Sequence, residues 1–63
     1  MAKIPDGWEL WTVDDDKEAA WSTAVRLKQE RERLRPDLFV RVRVVWSGRG
    51  SAHLVLRREE KRS

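Results

Sequence analysis

Hydrophobic and polar positions recur with two different periods along these 63 residues, and the changes of period divide the chain into four elements. Trp8-Glu9-Leu10-Trp11-Thr12-Val13 is aromatic and β-branched, which predicts a first strand. Strict alternation puts Trp8, Leu10 and Thr12 on one side and Glu9, Trp11 and Val13 on the other. Ile4-Pro5-Asp6-Gly7 ahead of it is turn chemistry, since Pro fixes its φ and Gly permits a positive one.

The helical period begins after Asp14-Asp15-Asp16. One of these carboxylates can cap the free N–H groups of a helix start, and the others sit favourably at the positive end of its dipole. Asp15 and Glu18 have the spacing of a capping box. Ala20, Ala24, Leu27, Arg31 and Leu34 then share one stripe, with Trp21 and Val25 at its edge. Pro36 disfavours helical backbone at Arg35, so the helix ends at Leu34 or Arg35.

Leu38 to Trp46 is the clearest strand, with Leu38, Val40, Val42, Val44 and Trp46 on one face and Phe39, Arg41, Arg43 and Val45 on the other. Ser47-Gly48-Arg49-Gly50 has the length and glycine content of a hairpin loop. Residues 51–57 return as a third strand, expected to turn Ala52, Leu54 and Leu56 inward and His53, Val55 and Arg57 outward. Residues 1–7 form an N-terminal turn segment and residues 58–63 a charged flexible tail.

Strand, helix, strand, strand is an α+β arrangement: a single βαββ domain over residues 1–63, with a three-stranded, mostly antiparallel sheet and one long helix packed on one face. Two strand orders satisfy the connections. The one with the third strand in the middle is favoured, because antiparallel pairs are commoner and then tolerate a solvent-facing side. One helix covers one face. The covered face is expected to collect Trp8, Leu10, Val40, Val42, Val44, Leu54 and Leu56 under Ala20, Ala24, Leu27 and Leu34, with Trp21 and Trp46 near the ends. The uncovered face is expected to carry Trp11, Val13, Phe39, Arg41, Arg43, Val45, His53, Val55 and Arg57.

Composition narrows what that face does. The chain has no cysteine, so disulfides and thiolate metal sites are excluded, and a single histidine builds no metal centre alone. No cofactor and no small-molecule substrate is expected. No apolar run reaches the ~20 residues of a membrane span, and residues 1–6 have no apolar signal region, so a cytoplasmic protein without membrane contact is expected. Ten arginines against four lysines fit a GC-rich bacterial or phage genome. A chain this short buries only about 60% of its unfolded surface, which makes self-association a natural aid to stability.

The net charge of +3 hides an asymmetry: residues 1–20 sum to −4 and residues 21–63 to +7. Such an imbalance points to an anionic partner or to mutual neutralisation of the two halves. The leading expectation is a small non-enzymatic module that binds nucleic acid. Arg41, Arg43, Arg57 and the loop Arg49 would meet phosphates, while Trp11, Phe39 and His53 offer stacking surfaces. The alternative is a protein-interaction module: a phage-type accessory protein that modulates a host protein, or a homodimer, through the same face.

Gly50-Ser51-Ala52-His53 resembles the Gly-Ser-His stretch of the HicA toxin family over four residues, with Ala52 inserted and a different element order. The resemblance alone would imply histidine-dependent ribonuclease chemistry at His53. Catalysis needs a base, an orienting partner and a charge stabiliser around a cleft, and three strands with one helix offer little concavity. No catalytic residue is expected.

Overall fold

Asp16 takes up extended backbone (φ −145°), and its carboxylate accepts the Ala19 N–H at 2.8 Å. The third aspartate of the run therefore starts α1 (Lys17–Leu34). The computed structural model describes residues 3–62. Before the helix lies β1 (Glu9–Asp14); after it come β2 (Leu38–Trp46) and β3 (His53–Lys61). β3 sits between the other two and runs antiparallel to both, giving the order β1-β3-β2 and the expected α+β fold. Pro36 stops the helix as anticipated. Beyond it Arg35 holds Asp37 through two bonds of 3.0 and 2.9 Å, bracing the turn into β2.

β3 is longer than its sequence pattern suggested. Arg58 to Lys61, expected as part of a loose tail, pair with Arg41 to Leu38. A charged strand is stable here because β2 offers it a full ladder, and Arg62 adds a backbone bond to Asp37 at 2.8 Å. Residues 1, 2 and 63, which belong to the expected terminal segments, lie outside the described residues.

The larger departure concerns which face is covered. Leu10 opposes Leu56 and Thr12 opposes Val55, so β1 spends one extra residue, Trp11, on a β-bulge. Strict alternation fails there. Trp11 packs with Val42 and Val44 against the helix-side core of Ala20, Ala24 and Val55. Leu10 and Val13, three residues apart, share the open face in register with Leu56 and Leu54. β3 is inverted relative to expectation: Val55 faces the helix, and Leu54 and Leu56 face away. Val55 suits the tight space under two alanines, where the wider leucines would not fit.

Two further expected core residues lie elsewhere. Leu34 is 66% exposed, because Glu32 is the residue turned to the sheet edge and Leu34 sits about 200° further round the helix. Trp8 stands on the open side beside Arg43. Trp21 and Trp46, expected near the ends of the core, are exposed, whereas Ala20, Ala24 and Val40 have zero exposure as read and Leu38 is buried beside them.

Candidate functional site

The open face is organised in rows set by the strand register. Val13, Leu54 and Val45 form one row across β1, β3 and β2; Leu10, Leu56 and Arg43 form the next. Below them β3 and β2 alone contribute Arg58 beside Arg41, then Glu60 beside Phe39. One half of the face is thus apolar and the other charged. Leu10 and Val13 are each 49% exposed, and no element lies over them.

Leu56 is the exception, with no exposure although it faces away from the helix. Arg43 on one flanking strand reaches to the Trp8 ring beyond the other, at 5.6 Å from its centroid. That pair crosses the central strand and roofs Leu56. The arginine stem buries apolar surface while the guanidinium finds an aromatic face.

Of the residues singled out as binding candidates, the structure brings together only Phe39, Arg41 and Arg43 on the open face. Trp11, His53 and Arg57 lie on the helix side, a consequence of the bulge and of the inverted β3. Arg57 sits 5.0 Å over the Trp11 ring and pairs with Glu9 at 3.6 Å and Glu59 at 3.5 Å. Glu59 is also held by Arg31 from the helix at 2.8 Å, and that bond, first among its causes, lowers the Glu59 pKa. The Nδ1 of His53 lies 2.8 Å from the Ser51 carbonyl. Arg49 is exposed at the hairpin tip, between Gly48 and Gly50, whose positive φ values of 90° and 56° make the turn.

Phe39 and Arg41 are themselves engaged. Arg41 and Arg58 share the Glu60 carboxylate at 3.7 and 3.2 Å. The Phe39 ring is approached by Lys28, Arg41 and Arg62 at 4.8, 5.5 and 5.9 Å. Lys28 in turn bonds Glu32 at 2.8 Å, and Glu32 also accepts the Val40 N–H at 2.9 Å. These two bonds hold the Glu32 carboxyl below the usual carboxylate range. Together with Arg62, which bonds the Leu38 carbonyl at 3.2 Å, Glu32 covers the free edge of β2 at that end.

What sequence reading missed is that Leu10 and Leu54 join Val13 and Val45, which were expected there, on the open face. A three-residue apolar spacing in a strand, Leu10 to Val13, was the available sign of the bulge. A second exposed apolar pair, Trp21 and Val25, lies one turn apart on α1. Shallow hollows along the outer side of α1 are lined by Trp21, Ser22, Val25, Arg26 and Gln29 and by Arg26, Gln29, Glu30 and Arg33. Among the described residues no three His, Asp or Glu side chains gather as metal ligands, and no helix is long and apolar enough to cross a membrane. Comparison with protein-family models, curated proteins and solved structures finds no significant match to this chain.

Proposed function

We propose that this chain is a non-enzymatic protein-docking module that acts through the open face of its sheet. The observation that carries the reading is the apolar quartet of exposed Leu10 and Val13 with half-buried Val45 and Leu54, contiguous in register and uncovered by any element. Contiguous apolar surface of this kind on a small domain marks an interaction site. Covering it removes water from four side chains at roughly 25 cal/mol per Å² of apolar area.

The same geometry weighs against nucleic acid as the ligand. Two of the three rings expected to stack on bases already carry the protein's own cations, Arg57 on Trp11 and three cations around Phe39, and Arg43 is likewise engaged on Trp8. Arg41 and Arg57 are paired with carboxylates that a phosphate would have to displace. That leaves Arg49, exposed at the hairpin tip, and a single arginine gives little affinity.

A photo-reactive residue at position 13, with position 26 on the opposite side as control, tests the reading in the cells that express the protein. Protease-sensitive adducts from position 13, absent from position 26, are the expected result. Nuclease-sensitive adducts, or equal yields at both positions, contradict it. In parallel, titration against single-stranded DNA and RNA at two salt concentrations is expected to show no saturable binding. Salt-dependent binding that is lost on charge reversal at Arg41 and Arg43 would return the nucleic-acid reading to first place.

A further inference from the structure

We infer that the partner on the open face is a second copy of this chain, stacked sheet to sheet about a two-fold axis that lies in the interface and crosses the strands. The inference rests on the docking reading above and names its occupant.

Surface area gives the first reason. The chain exposes 4728 Å², whereas a folded monomer of 7.5 kDa is expected to expose about 4,250 Å². Its Cα extents, 39 × 23 × 11 Å, describe a slab of two layers, not a ball. Three strands at about 4.8 Å spacing and about 3.3 Å per residue give a sheet face of roughly 400 Å². The excess surface is of that size, and stacking a second face on it removes it.

Self-complementarity gives the second. An axis between the Val13–Leu54–Val45 row and the Leu10–Leu56–Arg43 row sets Val13 over the partner's Leu10. It also sets Leu54 over the Arg43-roofed Leu56 position and Val45 against the arginine stem. Every contact occurs twice, as an isologous interface requires.

Charge selects this axis over one running along the strands. Asp14 is in register with His53 and Trp46, so the start of the helix and the hairpin occupy one end of the slab. Residues 14–18 and 46–53 there hold four acids against two bases, with His53 neutral. Residues 31–41 and 58–62 at the other end hold seven bases against four acids. Most of these charges lie in the helix layer behind the sheet and act only at a distance. Of them Arg41, Arg58 and Glu60 lie on the open face, and an axis across the strands carries these toward the partner's acidic end, whereas an axis along the strands superposes them on their own counterparts. Edge-to-edge pairing is less suited, since Glu32 and Arg62 cover part of the β2 edge and the bulge distorts β1.

Two faces of roughly 400 Å² fall below the ~1,200 Å² of a stable complex, so the dimer is weak and concentration-dependent. Sedimentation equilibrium from low micromolar to about 1 mM tests it. The expected result is a mass rising from monomer toward dimer and no further. Val13→Asp and Leu10→Asp, both at half-exposed positions, should each raise the dissociation constant at least about tenfold, because each buries an unpaired charge. Circular dichroism is used to check that both variants keep their fold. Val25→Asp, on the helix side at similar exposure, should leave association unchanged.

A mass that stays monomeric across the range overturns the second-copy inference, while protein adducts from position 13 would still uphold the docking reading. Association lost with Val25→Asp but kept with Val13→Asp overturns it equally, by moving the contact to the helix. Reversing Arg41 and Arg58 to glutamate should weaken the dimer at low salt; an unchanged or strengthened dimer contradicts the chosen axis.

Discussion

Arg43 and Trp8 meet across the middle strand, 5.6 Å from guanidinium to ring centroid, and Leu56 beneath them has no contact with solvent. The open face therefore has a small core of its own. Leu56→Ala is expected to destabilise the fold by about 2–4 kcal/mol, as a buried leucine does, although it faces away from the helix. Arg43→Ala should cost about 1 kcal/mol through lost packing and the lost cation–π contact. Urea denaturation of both variants checks this. A cost below about 0.5 kcal/mol for Leu56→Ala, the range of ordinary surface substitutions, would show the roof to be absent.

Asp16 caps α1 through its bond to Ala19, so the three aspartates are not equivalent. Asp16→Ala should lower stability by about 1 kcal/mol. Asp15→Ala, which lacks the cap bond, should cost only the few tenths of a charge near the helix dipole. Thermal melts of the two variants side by side decide it, and equal losses would contradict the assigned cap.

Glu32, Asp37 and Glu59 all have carboxyl pKa values held below the ordinary range, by Lys28, Arg35 and Arg31 respectively as the first cause. A depressed folded pKa means that the unfolded chain takes up protons first as acid is added. The stabilisation from these groups is complete above their ordinary values near 4 and is lost as the pH falls through the lower folded values. Stability should therefore drop on acidification through this range. Glu32→Gln should be less stable than wild type at neutral pH and decline less steeply with acid. Parallel acid titrations of the two proteins would contradict the role given to Glu32.

The element order, the helix and its end at Pro36, the middle position of β3 and the inward face of β2 were legible in the sequence, because each follows from period or from local turn chemistry. The facing of β1 and β3 was not. In β1 the alternation that assigns sides holds only for an unbroken ladder, and the extra residue at Trp11 shifts everything after it. In β3 both faces are apolar around Leu54, Val55 and Leu56, so hydrophobicity alone could not choose between them. The choice is made by the two alanines of α1, which leave room for a valine and not for leucines. These two inversions moved Trp11, His53 and Arg57 off the candidate surface and brought Leu10 and Leu54 onto it. An expected arginine-and-aromatic face became one that is apolar in one half and charged in the other.

The facing of Trp11 is testable separately. Packed against the Ala20, Ala24 and Val55 core under Arg57, it should resist quenching by iodide in a variant that keeps it as the sole tryptophan. Trp46, which is 55% exposed, should be quenched readily in the matching variant. Equal quenching of the two would return Trp11 to the solvent side.

The most direct measurement of the central claim is methyl NMR at high protein concentration with a soluble paramagnetic agent. With the open face as the surface on which two copies stack, the methyl groups of Leu10, Val13, Val45 and Leu54 become protected from the agent as concentration rises, while those of Val25 and Leu34 stay attenuated. Attenuation of the quartet that remains as strong as that of Val25 and Leu34 at every concentration would contradict it.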